Sequence, residues 1–392
     1  MIQALVLTAL AVFVLVRLAE AGCRWWVRRR SRYYVWPPGM RQELRLATDV
    51  FPELEPRVRF EINRQGERGS EVPRATNGFY RVLASGGSAV ECFALDQPAS
   101  WPVVLERKLN ESASLQTLSA RRVHVGNIGH SGVGAAELDL IFERLLPQYG
   151  HLDLILIMVG ASGVYHWLEE GASASRPASP VPELRLFAHH PRQPFGWKPG
   201  AWAVVELARR LRRLWLRPVE VKERAGAWQG AARRMRAQAT ELRDTMPDAT
   251  AMLRNFEEHF RRLCRRAIAH ADRIIVIPQP WFEGGYTPQE AARFWHGGAG
   301  RPWKEPVTAF YGLEVVNRLL DMVHARAVQV AGELGIECVN LRAVLTGRAL
   351  HYLDHDHYTA AGAAVVAQGV ARAILREMER PASSAPRLAG VQ

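Results

Sequence analysis

The segment VLASGGSAVECF, residues 82–93, contains a serine in a position where nucleophilic chemistry is possible. An apolar run ends on Gly86 and Gly87, and Ser88 follows directly. A serine hydroxyl becomes a nucleophile when a neighbouring base takes its proton. Polar turns also contain serine often, so a second interpretation is a simple turn. Val90 stands where the G-x-S-x-G elbow has glycine, which disfavours the α/β-hydrolase superfamily.

The segment HYLDHDHYTAAG near the C-terminus contains a base of the type that such a serine needs. Asp354 lies three residues before His357, just ahead of a predicted helix. A carboxylate at this spacing can fix the imidazole tautomer while the other ring nitrogen faces a reacting group. The pair is therefore a candidate for acid–base chemistry.

The same segment is rich in metal-binding residue types, which leaves two other interpretations open. Five side chains within seven residues are of types that bind metals, namely His351, Asp354, His355, Asp356 and His357. Their spacing matches no zinc motif such as HExxH, and five ligands on one short loop would be crowded. We therefore predict no metal and no cofactor. A plain surface loop is the remaining alternative.

Two further turns fit an acyl-transfer site. In VGNIGHSGVGA, Gly132 lies in a turn that enters a helix, where a backbone N–H can point at an oxyanion. In LILIMVGASGVYHWL, Ser162 follows another apolar run and offers a side-chain donor. Each turn alone indicates only a strand-to-helix connection. Their common position at strand ends favours one shared site.

The elements that must position these residues are short strands that alternate with helices. Apolar runs rich in Val, Ile and Leu predict five strands, at residues 81–84, 123–127, 152–159, 273–278 and 337–341. Amphipathic patterns between them predict helices. This alternation predicts an α/β fold with a parallel five-stranded sheet covered on both faces. Sites in such sheets lie at the carboxyl ends of the strands.

Residues 165–271 interrupt the alternation and predict a large helical insertion between the third and fourth strands. Its segment AWAVVELARRLRRLWLRP has arginines on one helical face and apolar residues on the other. Such a helix can lie on an anionic membrane surface or can be a cap helix with solvated arginines. We expect the insertion to form a lid or a substrate groove over the strand ends.

Residues 2–23 predict a transmembrane anchor, because residues 2–16 carry no charge and Trp25 and Trp26 follow. No basic segment precedes this run and no clear cleavage site follows it, which disfavours a signal peptide. A buried N-terminal helix is the alternative. Arginines after the span favour a cytoplasmic C-terminal domain, namely Arg24, Arg28, Arg29, Arg30 and Arg32.

The 392 residues are enough for one large domain with an elaboration. We predict an extended lead-in at 33–76, a main domain at 77–378 and a disordered tail at 381–392. The net charge of +12 raises the question of a nucleic-acid partner, but no nucleic-acid-binding motif is present, so we predict none. Four widely spaced cysteines indicate neither a zinc site nor a disulfide framework.

The segments that contain Ser88, Gly132, Ser162 and the Asp354–His357 pair follow one another in this order along the chain. In this order, residues 80–375 resemble the SGNH, or GDSL-type, hydrolase family, whose conserved segments are called blocks. Ser88 in ASGGS matches the nucleophile block, with Gly87 in place of the usual aspartate. Gly132 matches the glycine block, and Gly160-Ala161-Ser162 matches the Gly-x-Asn block. The Asp-x-x-His block is matched by DHDH, residues 354–357.

The resemblance implies a flavodoxin-like three-layer αβα sandwich and a catalytic triad of Ser88, His357 and Asp354. It also implies an oxyanion hole formed by Ser88, Gly132 and the side chain of residue 162. Ser162 stands where the family has asparagine. Loss of one good donor costs roughly 2.7 to 4 kcal/mol of transition-state stabilisation, so reduced activity or another reaction is possible.

The chain also resembles membrane-anchored SGNH proteins of bacterial exopolysaccharide systems, in INRQGERG, VGASGVYHWLEEGA and PQPWFEGGYTPQEAARFW. This resemblance implies a single-pass inner-membrane protein with an extracytoplasmic domain, opposite to the orientation that the arginines favour. We predict a serine esterase that removes acyl groups, O-acetyl above all, from a carbohydrate. Alternatives are an O-acyltransferase or lipid esterase using the same triad, and a non-catalytic binding or scaffold protein of an envelope polysaccharide system.

Overall fold

The computed structural model describes residues 1–73, 78–191, 201–345 and 349–378. The predicted tail at 381–392 lies outside the described residues, as do residues 74–76 of the predicted lead-in. Within the described ranges the strands are β1 (Arg41–Leu46), β2 (Arg57–Glu61), β3 (Phe79–Gly86), β4 (Arg122–Asn127), β5 (Leu152–Met158), β6 (Val219–Ala225), β7 (Glu241–Arg243), β8 (Ala271–Val276), β9 (Ala309–Tyr311) and β10 (Glu337–Cys338).

The helices in these ranges include seven long ones and seven of nine residues or fewer. They are α1 (Ile2–Arg30), α2 (Ser88–Glu91), α3 (Trp101–Leu109), α4 (Ser112–Thr117), α5 (Ala135–Leu145), α6 (Ala161–Glu169), α7 (Glu183–Leu186), α8 (Ala203–Leu216), α9 (Ala227–Ala237), α10 (Thr250–Ile268), α11 (Pro288–Ala291), α12 (Leu313–Glu333), α13 (Arg342–Leu345) and α14 (Ala360–Met378).

The central sheet has five parallel strands in the order β10-β8-β5-β3-β4. Counted along the chain, this order is 2-1-3-4-5, which is the doubly wound order of flavodoxin-like folds. Each of the five predicted apolar runs supplies one of these strands. The predicted α/β fold with a flavodoxin-like sheet is therefore confirmed.

Side chains of the central strands alternate between two apolar layers, as the period of two in a strand requires. Leu83 and Ile155 pack on one face of the sheet with α5, α10 and α12. Val82 and Leu154 pack on the opposite face with α3 and α14. The two layers make a three-layer αβα sandwich.

Helix α10 lies within the predicted insertion, but the structure places it in the sandwich. Its apolar face contacts α5 and α12 and includes the fully buried side chains of Phe260 and Leu263. The helix leads directly into β8, so it is the crossover that precedes the fourth strand of the sheet. The elaboration therefore lies between α6 and α10.

The predicted lead-in forms a small sheet of its own. Strand β1 pairs antiparallel with β2 and parallel with β6, which comes from the elaboration. Their apolar side chains share a core that includes Leu44, Val58 and Phe60. An antiparallel bridge between Ile62 and Arg68 closes a turn around Gln65-Gly66, and a second bridge joins Arg68 to the end of β4.

Helix α1 is long and apolar enough to cross a membrane, and its most apolar window is exposed. Contacts with the rest of the chain lie near its C-terminal end. The Glu20 carboxylate accepts the N–H groups of Ala203 and Val204 at 2.8 and 3.1 Å, and Arg24 donates to the Ala201 carbonyl at 2.9 Å. The arginine-rich helix α8 is thereby fixed to the end of the apolar segment.

Candidate active site

Ser88 is the first residue of α2 and follows β3, the strand that lies between β4 and β5 in the sheet. A Cβ on Gly86 would lie 2.0 Å from the Met158 carbonyl oxygen, so only glycine fits there. A Cβ on Gly87 would lie 3.0 Å from the Val133 carbonyl oxygen, which is also tight. The two glycines thus let the chain turn sharply at the carboxyl end of the strand.

The backbone after Ser88 is held by a buried arginine from the lead-in. The Arg68 guanidinium donates to the carbonyl oxygens of Glu91, Cys92 and Leu95, the latter two at 2.8 and 2.7 Å. Arg68 is 1% exposed, and burial lowers its pKa to about 10. Arg68 is thus a partner of three buried carbonyls, of which that of Cys92 also accepts the Leu95 N–H at 3.0 Å.

Two more side chains join the Ser88 turn to the glycine-containing turn of Gly132. The Glu91 carboxylate accepts the Ser131 N–H. Asn127, at the end of β4, donates its side-chain amide to the Val90 carbonyl at 2.8 Å and accepts the Gly129 N–H at 2.7 Å. Because both turns share these contacts, their relative position is fixed.

The structure brings His357 and Asp354 to Ser88. His357 Nε2 lies 2.8 Å from Ser88 Oγ, and Nδ1 lies 2.9 Å from both carboxylate oxygens of Asp354. With Nδ1 donating to the carboxylate, Nε2 is left as the acceptor of the serine proton. The arrangement has the geometry of a nucleophile, a general base and an orienting carboxylate.

The Asp354 carboxylate has three further hydrogen-bond donors. Oδ1 accepts the backbone N–H groups of Asp356 and His357 at 3.1 and 3.0 Å, and Oδ2 accepts Trp295 Nε1 at 2.9 Å. Burial alone would raise the pKa of Asp354, but the charge and hydrogen bond of His357 and the Trp295 donor outweigh it and lower that pKa. The carboxylate therefore stays ionised when the imidazole becomes charged.

The pKa of His357 is shifted in the opposite direction. Burial disfavours the imidazolium, but Asp354 and Asp356 outweigh burial and raise the pKa of His357 above its usual value. Asp356 Oδ1 lies 3.3 Å from His357 Nδ1, and burial together with Asp354 raises the pKa of Asp356 to about 6. Two carboxylates thus act on one imidazole.

The residues predicted to form an oxyanion hole lie around the same cavity as Ser88. Gly132 has a positive φ of 78°, a conformation that favours glycine. Ser162 is the second residue of α6, and its Oγ would lie 3.1 Å from a Cβ on Gly87. The two departures from the family pattern, at 87 and 162, are therefore neighbours in space.

The five-ligand cluster considered above does not form among the residues that the structure describes. His355 lies apart from the candidate ion site, with Nδ1 2.9 Å from the Tyr165 hydroxyl and Nε2 2.9 Å from Asn317 Oδ1. The ligand atoms close enough to share one ion instead belong to His296, Asp354, Asp356 and His357. An ion there would compete with the hydrogen bonds that align His357 with Ser88.

Sequence reasoning missed Arg68, Trp295 and His296. Trp295 holds Asp354, and His296 stacks against Tyr165 with ring centroids 4.2 Å apart. Trp295 is the last residue of a segment that carried the narrower resemblance and His296 follows it, but no spacing connects either residue with Asp354. Arg68 lies in INRQGERG, and nothing in that segment indicates that its side chain is buried.

Ser88 opens onto a cavity of about 650 Å³. The elaboration between α6 and α10 supplies part of its wall, including Lys222, Trp228 and Gln229. Trp228 packs edge-on against Trp295 with ring centroids 4.8 Å apart, and Trp303 stands 6.1 Å from Trp228. The cavity therefore has an aromatic wall next to Trp295, the residue that donates a hydrogen bond to Asp354.

No family model and no curated protein match the chain. Solved structures do match over most of it. One is a lipolytic protein of the G-D-S-L family from Desulfitobacterium hafniense DCB-2, with 12% identity, a TM-score of 0.37, and coverage of 74% of this chain and 98% of that one. A protein described as belonging to the G-D-S-L family is thus among the matches.

Two other matches cover 77% of this chain. The acetylxylan esterase Axe2 from Geobacillus stearothermophilus has 15% identity, a TM-score of 0.40 and 95% of its length covered. LAE5, an α/β hydrolase enzyme from the metagenome of Lake Arreo in Spain, has 12% identity, a TM-score of 0.42 and 97% of its length covered. At such low identity a match concerns the fold alone, and here the strand order itself establishes it.

Proposed function

We propose that this chain is a membrane-anchored serine esterase that hydrolyses acyl esters, with O-acetyl groups on a carbohydrate or exopolysaccharide as its substrate. The observation that carries the proposal is the continuous hydrogen-bond chain from Ser88 through His357 to Asp354. It lies at the wall of a cavity large enough for a small organic substrate.

In the proposed reaction, His357 Nε2 takes the Ser88 proton while Oγ attacks the ester carbonyl. The tetrahedral oxyanion forms where Ser88, Gly132 and Ser162 can donate hydrogen bonds. The carbon–oxygen bond to the alcohol then breaks, and the alcohol oxygen receives the proton from His357. Water, activated by His357, releases the acid and restores the serine. A second alcohol in place of water would make the product a new ester, which is acyl transfer.

The membrane anchor in this proposal is α1. Its length, composition and exposed surface support an anchoring role, and we propose a bacterial inner membrane as its location. An exopolysaccharide substrate requires the domain to lie outside the cytoplasm, whereas the arginines at the end of α1 favour the inside. Reaction of a cysteine introduced at Arg29, an exposed position after the span, with an impermeant thiol reagent from one side of the membrane only tests the orientation.

A second candidate function is a non-catalytic binding or scaffold protein of an envelope polysaccharide system. Ser162, in place of the family's asparagine, is the observation that favours it. A lone serine hydroxyl is shorter than an asparagine amide and presents a single O–H donor. A failure to stabilise the oxyanion would leave the cavity as a binding site only.

The test uses the full chain in detergent with p-nitrophenyl acetate as substrate. We expect hydrolysis by the wild type, a loss of kcat of about 10⁴-fold or more in Ser88→Ala, and no change in the control Ser112→Ala, an exposed serine in α4. A fluorophosphonate probe should label Ser88. A wild type that neither hydrolyses the ester nor reacts with the probe would contradict the esterase and favour the binding protein. A preference for long acyl chains would favour a lipid esterase.

A further inference from the structure

One face of helix α6 lines the cavity from the triad outward. Ser162, Tyr165, His166 and Glu169 all contact the cavity, and their spacing of three and four residues places them on one side of the helix. At a rise of about 1.5 Å per residue, Glu169 lies roughly 10 Å further along the helix than Ser162. The cavity thus has a second polar group well away from the ester position.

Glu169 is buried in the cavity wall without a hydrogen-bond partner at Oε2 among the described residues. Its side chain is 6% exposed. The nearest cation, Arg301 Nε, lies 4.0 Å from Oε2, and Arg301 Nη2 donates to Glu170 instead. An unpaired buried polar group costs about 1 to 3 kcal/mol, and Glu169 is also one of the residues that line the cavity, so a ligand in the cavity is a candidate partner for its carboxyl.

The protonation state of Glu169 follows from its surroundings. Burial raises the pKa of this carboxyl to about 8, with Arg301 and Lys304 opposing and Glu170 adding to the shift. His166 lies one turn earlier on the same helix, and burial lowers the pKa of its imidazole. The raised pKa favours the protonated carboxyl near neutral pH, and a protonated carboxyl can donate a hydrogen bond.

The elaboration contributes a matching pair of residues to the cavity. Gln229 is buried, and its Oε1 also lacks a hydrogen-bond partner among the described residues. Trp228 precedes it, remains 40% exposed, and lines the cavity beside it. The cavity is therefore lined by an accessible indole and by two residues, Glu169 and Gln229, that each have a polar atom without a hydrogen-bond partner among the described residues.

We propose that Glu169, Gln229 and Trp228 form a subsite for a pyranose ring in the alcohol part of the substrate. An indole face packs against the apolar C–H face of a sugar ring, while ring hydroxyls both accept and donate hydrogen bonds. A long acyl chain in the same place would leave both polar groups unpaired. The proposal rests on the esterase function above and assigns the saccharide class of its substrate to these three residues.

The experiment compares esters with and without hydroxyl groups. Substrates are p-nitrophenyl acetate, p-nitrophenyl octanoate and mono-O-acetylated methyl pyranosides of the gluco, manno, galacto and xylo series. We expect Glu169→Ala to raise KM for the best pyranoside about five- to tenfold, since one hydrogen bond is lost, with less than a twofold change for p-nitrophenyl acetate. Glu169→Gln, whose amide can donate, should stay within twofold. Glu314→Gln, an exposed control in α12, should change neither KM.

The pH dependence provides a second readout. KM for the pyranoside should rise above about pH 8 in the wild type, because the ionised Glu169 no longer donates. Glu169→Gln should lack this rise. His357 acts on both ester types, so the ratio of their kcat/KM values isolates the subsite.

Equal losses on pyranoside and aryl esters in Glu169→Ala would show a structural role and overturn the proposal. A preference for octanoate over every pyranoside would also overturn it, in favour of an acyl-chain pocket. A wild type that hydrolyses no ester would contradict the esterase function instead. Calorimetric binding of the four unacetylated methyl pyranosides then tests the subsite directly: weaker binding by Glu169→Ala would support it, and no binding to the wild type would refute it.

Discussion

The Asp354–His357 loop and the Ser88 turn meet across one 2.8 Å hydrogen bond, but their supports differ in range along the chain. The loop is organised mainly by its own residues, because the Asp354 carboxylate accepts two N–H groups from within the next three positions. The turn is organised by Arg68 and Asn127, which come from other parts of the chain. Short-range contacts set one half of the site and long-range contacts the other.

Because of this difference, substitutions in the two regions should affect different properties: catalysis in the loop and stability among the supports of the turn. A substitution within the loop changes the charge next to the imidazole, while most of the surrounding packing can remain. A substitution among the supports of the turn leaves the triad atoms unchanged but removes the contacts that place Ser88. Loop variants should therefore reduce kcat, and support variants should reduce stability first.

The largest effect should come from Asp354→Asn. An amide cannot stabilise the imidazolium and favours the wrong tautomer, so we expect kcat on p-nitrophenyl acetate to fall by about 10⁴-fold. The melting temperature should fall much less than the activity does. Asp272→Asn, at a 68% exposed side chain, is the matched control and should leave kcat unchanged. A kcat within tenfold of wild type would show that the carboxylate is not part of the reaction.

The next effect should come from Arg68→Met, which keeps the length of the side chain but removes its donors. The buried carbonyls of Glu91 and Leu95 would lose their partner, that of Cys92 would keep only the Leu95 N–H, and we expect the free energy of unfolding to fall by about 3 kcal/mol. Urea unfolding in detergent measures the change, and fluorophosphonate labelling of Ser88 should slow in parallel. The control Arg59→Met removes an ion pair with Asp96 at a 63% exposed side chain and should cost less than about 1 kcal/mol.

An Arg68→Met protein as stable as the control would mean that the turn holds its shape without the lead-in. The Ser88 turn, like the Asp354–His357 loop, would then be organised mainly by contacts between residues close in the chain.

The same difference explains which parts of the site the sequence predicts. Five apolar runs and their turn residues specify the strands, and the sheet topology then brings Ser88, Gly132 and Ser162 to one edge. The spacing of Asp354 and His357 is visible because both lie on one loop. These features depend on residues that are close in the chain or on a repeating pattern.

Arg68 and Trp295 follow no such pattern. Arg68 acts through side-chain contacts 23 to 27 residues away, and Trp295 through one 59 residues away. The pairing of β1 with β6 is likewise unpredictable, since three strands of the central sheet, β3, β4 and β5, lie between them in the chain. Only the folded structure shows such contacts, because nothing local in either partner specifies the other.

The smallest effect should come from Asp356→Asn, which changes the loop beside His357 without replacing a residue of the triad. His357 must be neutral to accept the serine proton, so activity is lost as the pH falls through its pKa. The groups acting on this imidazole are Asp354, Asp356 and Glu91, which raise its pKa, and His296 in contact with its ring. We therefore expect the acidic limb of kcat/KM in the wild type to lie above the usual histidine pKa of about 6.5.

Asp356 helps to place the acidic limb of kcat/KM at this higher pH. Its own pKa, raised to about 6, leaves its carboxylate charged in the pH range where His357 titrates. Removing its charge should move the acidic limb to lower pH by about one unit or less, with the plateau of kcat/KM within a few-fold of wild type. The measurement is a pH profile on p-nitrophenyl acetate, with Asp272→Asn as control. A limb that stays in place would show that Asp354 alone sets the basicity of His357, and the loop would then act on the base through a single carboxylate.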